Sequence, residues 1–192
     1  MINPSQKVIR YNYLVATLKA WADKATKVNR LDEWESSFTK LRSFLASELY
    51  AKSLLNFYMI AADHYYDVGK TKDREDAFKD IMKLIPAANL SPKEHYEVAQ
   101  YLAYQDQSSR AIEALMPVVK SDEVALEHYF YFMQLAIYDN ELVPDKLFVE
   151  VLDKTREAYP NDFCALFIKE RMGIQLLKNY EIKARYCEYC AN

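Results

Sequence analysis

The sequence predicts an all-α protein, an α-solenoid of stacked antiparallel helix pairs with about nine or ten helices. Three observations predict it. The first is an internal repeat. Glu94-His95-Tyr96 returns as Glu127-His128-Tyr129, an offset of 33 residues (128 minus 95). The same offset carries Leu102-Ala103 onto Leu135-Ala136, Asp106 onto Asp139, and Leu115, Val118 and Val119 onto Phe148, Val151 and Leu152. A fixed period in the thirties marks helical hairpins that bury their apolar faces by stacking. The second is punctuation. Two Gly and six Pro in 192 residues are too few for the turns of a sheet protein. The third is periodicity, since apolar residues recur every three or four positions along most of the chain.

The elements follow in order. Val8, Tyr11, Val15, Leu18, Ala22 and Ala25 make one stripe, which predicts a helix over 5–28 ended by Asn29 and Arg30. Asp32 and Glu35 have capping-box spacing and open a second helix, with the stripe Trp34, Phe38, Leu41, Leu45. No Gly or Pro interrupts residues 46–52, yet one helix over 32–68 exceeds the usual globular length, so a break is placed there. A third helix covers 51–68, with Gly69 as its C-terminal cap. A fourth covers 73–85 and stops before Pro86. Ser91, Pro92 and Glu94 then supply an N-cap, a first-turn proline and a capping-box acid for a fifth helix ending at Gln105. Helices over 109–120, where Pro117 implies a kink or a late start, and over 122–138 come next. Pro144 opens another, which ends before Pro160. Asn161 or Asp162 caps a ninth helix that runs to about residue 178, and a short last one covers 180–190.

With the elements in place, the pairing resembles the tetratricopeptide repeat, a family of helix-turn-helix units of about 34 residues. Tyr58, Ala62, Tyr65 and Gly69 fit the first helix of one unit, and Ala77, Ile81 and Pro86 its second. Ala99 and Leu102 fit the first helix of the next unit, and Ala111 and Leu115 its second; Ala77 to Ala111 is 34 residues (111 minus 77). Residues 71–73 read as a three-residue insertion in the first turn. Phe132 replaces the expected small residue in the third unit, Pro144 falls where Ala is expected, and Ala165 restores the small residue in a fourth, incomplete unit. There is no linker or composition shift, so a single helical-repeat domain is expected over 1–192. It comprises an N-terminal hairpin over 1–50, repeat units over 51–172 and a C-terminal capping helix or tail over 173–192.

Composition narrows the function classes. With 25 basic and 28 acidic residues, the net charge of -3 lacks the basic excess of a nucleic-acid surface. No apolar run reaches the ~18 residues of a membrane span, and no Lys/Arg cluster flanks an apolar face. Neither nucleic acid nor membrane insertion is expected. Three Cys, two of them near the end, do not form a disulfide framework, so a reducing, cytoplasmic setting is the default. That default holds unless the chain belongs to a longer exported protein. There is no Gly-rich phosphate loop, no HExxH and no nucleophile elbow, so no enzyme and no cofactor are expected.

The resemblance implies where partners go. In that family the first helix of each unit lines an inner groove that holds peptides or protein segments. The matching positions here are Met59, Asp63, Tyr66 and Asp67 in the first unit, Lys93, Tyr96, Gln100 and Tyr104 in the second, and Tyr129, Met133 and Ile137 in the third. Tyr suits recognition because it offers large area, a hydroxyl and little rotamer entropy to lose, and Met adapts to irregular shapes. The same tyrosines could equally pack between repeats. The family's basic clamp for a C-terminal carboxylate is missing, since only Lys93 is present. His95 and His128, one repeat apart, could share a metal or simply mark a repeated packing position. Cys187 and Cys190 form a CxxC pair with three readings: half of a shared zinc site, a redox pair, or two ordinary thiols. The expected function is a non-catalytic interaction module that binds a peptide or protein segment in a Tyr/Met-lined groove. The alternative is an assembly subunit that self-associates into a homo-oligomer through the solenoid end or the CxxC tail. An enzyme with a dispersed site is the third reading.

Overall fold

The structure is a computed structural model. It describes residues 46–121, 125–138 and 145–169, with scattered positions before 46, and it describes the side chains of these residues except at 137, 138, 145 and 165–169. Between 46 and 169 the described residues form seven helices: α1 (Ser47–Asp67), α2 (Thr71–Ala88), α3 (Pro92–Tyr104), α4 (Ser108–Val119), α5 (Leu126–Tyr138), α6 (Asp145–Ala158) and α7 (Pro160–Lys169). No strand occurs among the described residues. The all-α expectation and the hairpin organisation are therefore observed. The chain divides into two compact units, Met1–Leu90 and Ser91–Asn192.

In the first unit α1 packs on α2. The break expected without Gly or Pro falls at Ala46, whose extended ψ of 142° starts α1 at Ser47. Ala51, Leu55, Ala61 and Ala62 of α1 and Ala77, Phe78, Ile81 and Ile85 of α2 are buried. Small residues at 62 and 77 are what the close crossing of a repeat hairpin requires. Among the earlier residues, Ala16, Thr17, Ala20, Lys24, Ala25, Glu33, Glu35, Ser36 and Thr39 are helical. Ala25 packs with Phe57 and Ala61. The Tyr58 hydroxyl donates to Glu35 at 2.6 Å, so this N-terminal region is tied to α1 through both apolar and polar contacts. Burial, then the adjacent Glu35 carboxylate, pushes the Tyr58 phenol well above its ordinary range, so it stays protonated as a donor.

The turn after α1 uses Gly69 at φ 71°, as expected of a glycine cap. Its counterpart after α3 is Asp106 at φ 60°. The two lie 37 residues apart (106 minus 69), as do Ala62 and Ala99. Beyond the turn the spacing drops to the 34 that separates Ala77 from Ala111, so the first unit does carry three extra residues. They do not lengthen the turn. Each connection is three residues long, and α2 begins at Thr71 rather than Asp73. The insertion is one additional turn at the start of α2, because a helical turn pairs its backbone groups while a longer loop would leave them to water.

Two prolines behave differently from expectation. Helix α2 continues through Pro86 to Ala88, with Asn89 at φ 46° as the left-handed cap. Helix α4 starts at Ser108, not late, and holds Pro117 in its last turn. A proline there removes a single hydrogen bond. Continuing the helix buries Ala88 in one case and Val118 and Val119 in the other, which offsets that loss.

In the second unit each helix packs on the next: α3 on α4, α4 on α5, α5 on α6, α6 on α7. The N-terminus of α3 is the capping box read from the sequence. Ser91 Oγ accepts from the Glu94 N–H at 3.3 Å, and the Glu94 carboxylate accepts from the Ser91 N–H at 2.7 Å. Ala99, Leu102, Ala111 and Leu115 form the buried crossing of this hairpin. The 33-residue offset holds in burial as well, because Leu115, Val118 and Val119 and their counterparts Phe148, Val151 and Leu152 all lie in the core. Helix α7 starts at Pro160 itself, one or two residues before the expected caps, in the first-position role that proline favours. The side chain of Ala165, Pro144 and all residues after 169 lie outside the described set.

Candidate partner-binding surface

In the first unit the expected positions lie along α1 at intervals of four, three and one. Met59 is half-buried, and Asp63, Tyr66 and Asp67 are exposed. Tyr66 keeps 66% of its surface in water despite its size. Its ring lies against the guanidinium of Arg74 at 4.6 Å, and the same guanidinium lies 5.2 Å from the buried ring of Phe78. Val68 is exposed beside it in the turn.

In the second unit Lys93, Gln100 and Tyr104 are exposed on α3. Tyr104 reaches 86% exposure, next to the left-handed Asp106. Lys93 Nζ lies 3.9 Å from Glu97, an exposed pair that contributes little. Tyr96 is half-buried at a seam with α5. Its ring centre is 4.9 Å from that of His128 and 5.2 Å from that of Tyr131, the latter edge-on at 75°. Such edge contacts add to burial and hold the ring in place.

The third set of positions departs from expectation. Tyr129 is 3% and Met133 8% exposed, so both belong to the core. Tyr129 turns back to the end of α4, where its hydroxyl donates to the Ser121 carbonyl at 3.5 Å. The α4–α5 interface needs a large residue there, and the aromatic that reaches the seam is Tyr131, two positions on. The repeat could not find Tyr131, because its counterpart at the 33-residue offset is Val98, a buried aliphatic residue. The side chain of Ile137 lies outside the described residues.

The two repeated histidines separate chemically. Both are buried. His95 Nδ1 lies 2.8 Å from the Ala114 carbonyl, so this nitrogen carries the proton and donates. Burial lowers the His95 pKa below its ordinary value, opposed by that hydrogen bond and by Glu94. His128 Nδ1 has no hydrogen-bond partner among the described residues. Among those residues no three His, Cys, Asp or Glu side chains cluster as a metal site would require.

Cys164 is disulfide-bonded. The pair Cys187 and Cys190 lies outside the described residues. No helix of the described residues is long and apolar enough to cross a membrane.

No family model matches the chain, and no curated protein matches it. Among solved structures it is similar to the crystal structure of a single-residue variant of a Podosopora anserina protein, described as a kinesin light chain with nearly identical TPR-like repeats. The two share 14% identity and a TM-score of 0.41, over 93% of this chain and 97% of that one. The repeat assignment stands on the chain's own geometry: hairpins with three-residue turns, left-handed residues at equivalent positions, and small residues buried at equivalent crossings. The described residues between 46 and 169 are built of helical hairpins, and no strand occurs among them.

Proposed function

We propose that this protein is a non-catalytic interaction module that takes up peptide or protein segments on the open faces of α1 and of α3. The observation that carries this reading is the exposure of Tyr66 and Tyr104. A packing role would bury these rings, as it buries Tyr129. Left in water, a tyrosine contributes nothing to the core but offers a rigid, amphipathic contact. Asp63 and Asp67 provide polar groups on α1, and Lys93 and Gln100 provide them on α3. Tyr96 is the ring that joins binding to packing, since it is half-buried against His128 and Tyr131.

The test compares Tyr66→Ala and Tyr104→Ala with the parent in affinity capture followed by mass spectrometry, and thermal unfolding is recorded for each. Partners lost by the variants at unchanged melting temperature support the reading. The same partners at the same yield from all three proteins overturn it. Solution mass, measured in parallel, decides whether the bound segment comes from a second copy of this chain.

A further inference from the structure

We propose that Arg74 is a positioning residue that fixes the exposed ring of Tyr66 in one orientation for the partner. The inference rests on the reading that Tyr66 is a contact. It starts from the inserted turn. Arg74 corresponds to Ser108 at the repeat spacing of 34 residues (108 minus 74), and Ser108 is the first residue of α4. In α2 the extra residues 71–73 move Arg74 to the fourth helical position. Its N–H there donates to the Lys70 carbonyl at 3.0 Å, a bond that a first-position residue cannot make within its helix. The insertion thus takes Arg74 away from a fraying end and holds its backbone.

The side chain is held from two sides. Phe78 follows Arg74 by four residues, so the two share a face of α2, and the buried Phe78 ring supports the guanidinium at 5.2 Å. Tyr66 arrives from the end of α1 and lies against the same guanidinium at 4.6 Å. An exposed tyrosine on a last helical turn ordinarily samples several rotamers. The planar guanidinium stacks on aromatic faces as an ammonium does not, so it suits the task of stopping that motion. The arrangement occurs in this unit only among the described hairpins α1–α2 and α3–α4, because Ala103 and Ser108 stand at the corresponding positions of the second. A ring already held loses less freedom on binding, and affinity rises accordingly.

The experiment uses the full chain and reads two quantities. The first is the fluorine line width and solvent-induced shift of 3-fluorotyrosine placed at position 66, in the parent, Arg74→Met and Arg74→Lys. The expected result is a broad, shielded line in the parent, a narrow and solvent-sensitive one in Arg74→Met, and an intermediate one in Arg74→Lys. The second is the Kd of a peptide selected on the parent from a random phage-displayed library. Arg74→Met is expected to weaken it by about 2- to 10-fold, the range set by immobilising one side chain. Thermal unfolding accompanies each variant. If Arg74→Met melts early, Arg74→Lys, which keeps the stem and the charge, supplies the comparison. Unchanged line width and shift in both variants overturn the proposal, as does unchanged Kd in both variants while Tyr66→Ala loses the peptide. A peptide that binds Tyr66→Ala as tightly as the parent, or no selected peptide at all, overturns the binding reading instead, and the fluorine spectra still decide the positioning.

Discussion

The two repeated histidines allow an internal comparison, because the same residue type sits one repeat apart with one difference. His95 donates from Nδ1 to the Ala114 carbonyl at 2.8 Å, and His128 Nδ1 has no partner among the described residues. Replacing His95 with Phe keeps a ring of similar shape and deletes the hydrogen bond. A net intramolecular hydrogen bond is worth about 0.5–1.5 kcal/mol, and the Ala114 carbonyl is an ordinary helix acceptor that keeps a second lone pair in use. The expected cost is therefore about 1 kcal/mol, or a fall of about 2–4 °C in Tm for a chain of this size. His128→Phe deletes a buried polar atom that has no partner among the described residues and keeps the ring against Tyr96. It should be neutral or gain a few tenths of a kcal/mol. His95→Asn, whose side-chain amide can stand where the imidazole N–H stands, should recover part of the loss.

The pH dependence gives a second handle on the same residue. The folded pKa of His95 lies below its ordinary value of 6.5, chiefly through burial. The unfolded chain therefore binds a proton more readily than the folded one. As pH falls below about 6.5 the unfolded state gains protonation first, and folded stability drops until the folded pKa is passed. The contribution is fully present above pH 6.5 and lost on acidification. Thermal unfolding followed by circular dichroism at about pH 7.5 and about pH 5.5, on either side of that value, should show a larger acid-induced drop for the parent than for His95→Phe. Equal costs for His95→Phe and His128→Phe, or an identical acid drop in parent and His95→Phe, would refute the reasoning.

Ala62→Leu and Ala99→Leu should each overpack a fully buried crossing and cost about 1–3 kcal/mol, read as a lower Tm; unchanged melting of both counts against the hairpin assignment. Ser91→Ala should remove the capping box of α3 at a cost of about 1 kcal/mol, with faster amide exchange in the first turn of α3 and unchanged exchange in α1. Gly69→Ala should cost about 1 kcal/mol from its φ of 71° alone, since an added Cβ meets nothing within 4 Å; equal stability would show that the turn relaxes.

The helices were legible because burial repeats. Leu115, Val118 and Val119 could be matched to Phe148, Val151 and Leu152 without coordinates, since the pairs serve the same core. The Ser91 cap was equally plain, because its three residues each have a local role. The helix end at Pro86 was not. A local rule stops a helix at proline, but the rule is overridden when the next turn buries Ala88, and only tertiary packing contains that information. The insertion before Arg74 was visible as a count, whereas its conversion into helix depended on where α2 could satisfy its backbone.

The surface positions were the least legible, and the reason is physical. A repeat constrains which residues face the neighbouring helix, so Tyr96 and Tyr129 share a register. It does not fix how far each ring extends past the seam. Tyr129 bends toward Ser121 and fills the α4–α5 interface, so the open edge of the third unit falls to Tyr131, which packs against Tyr96. The exposed rings, Tyr66 and Tyr104, stand at the last turns of α1 and α3, where no following helical turn covers them. An exposed ring at a helix end has high rotamer freedom and low packing value, which makes it useful for recognition only if something restrains it. Arg74 supplies that restraint for Tyr66 and has no counterpart at Tyr104, where Ser108 stands in its place. On the proposed reading the two tyrosines therefore differ in what binding costs them: ordering Tyr104 should take more rotamer entropy than ordering Tyr66, and Tyr66 should be the stronger anchor of the pair.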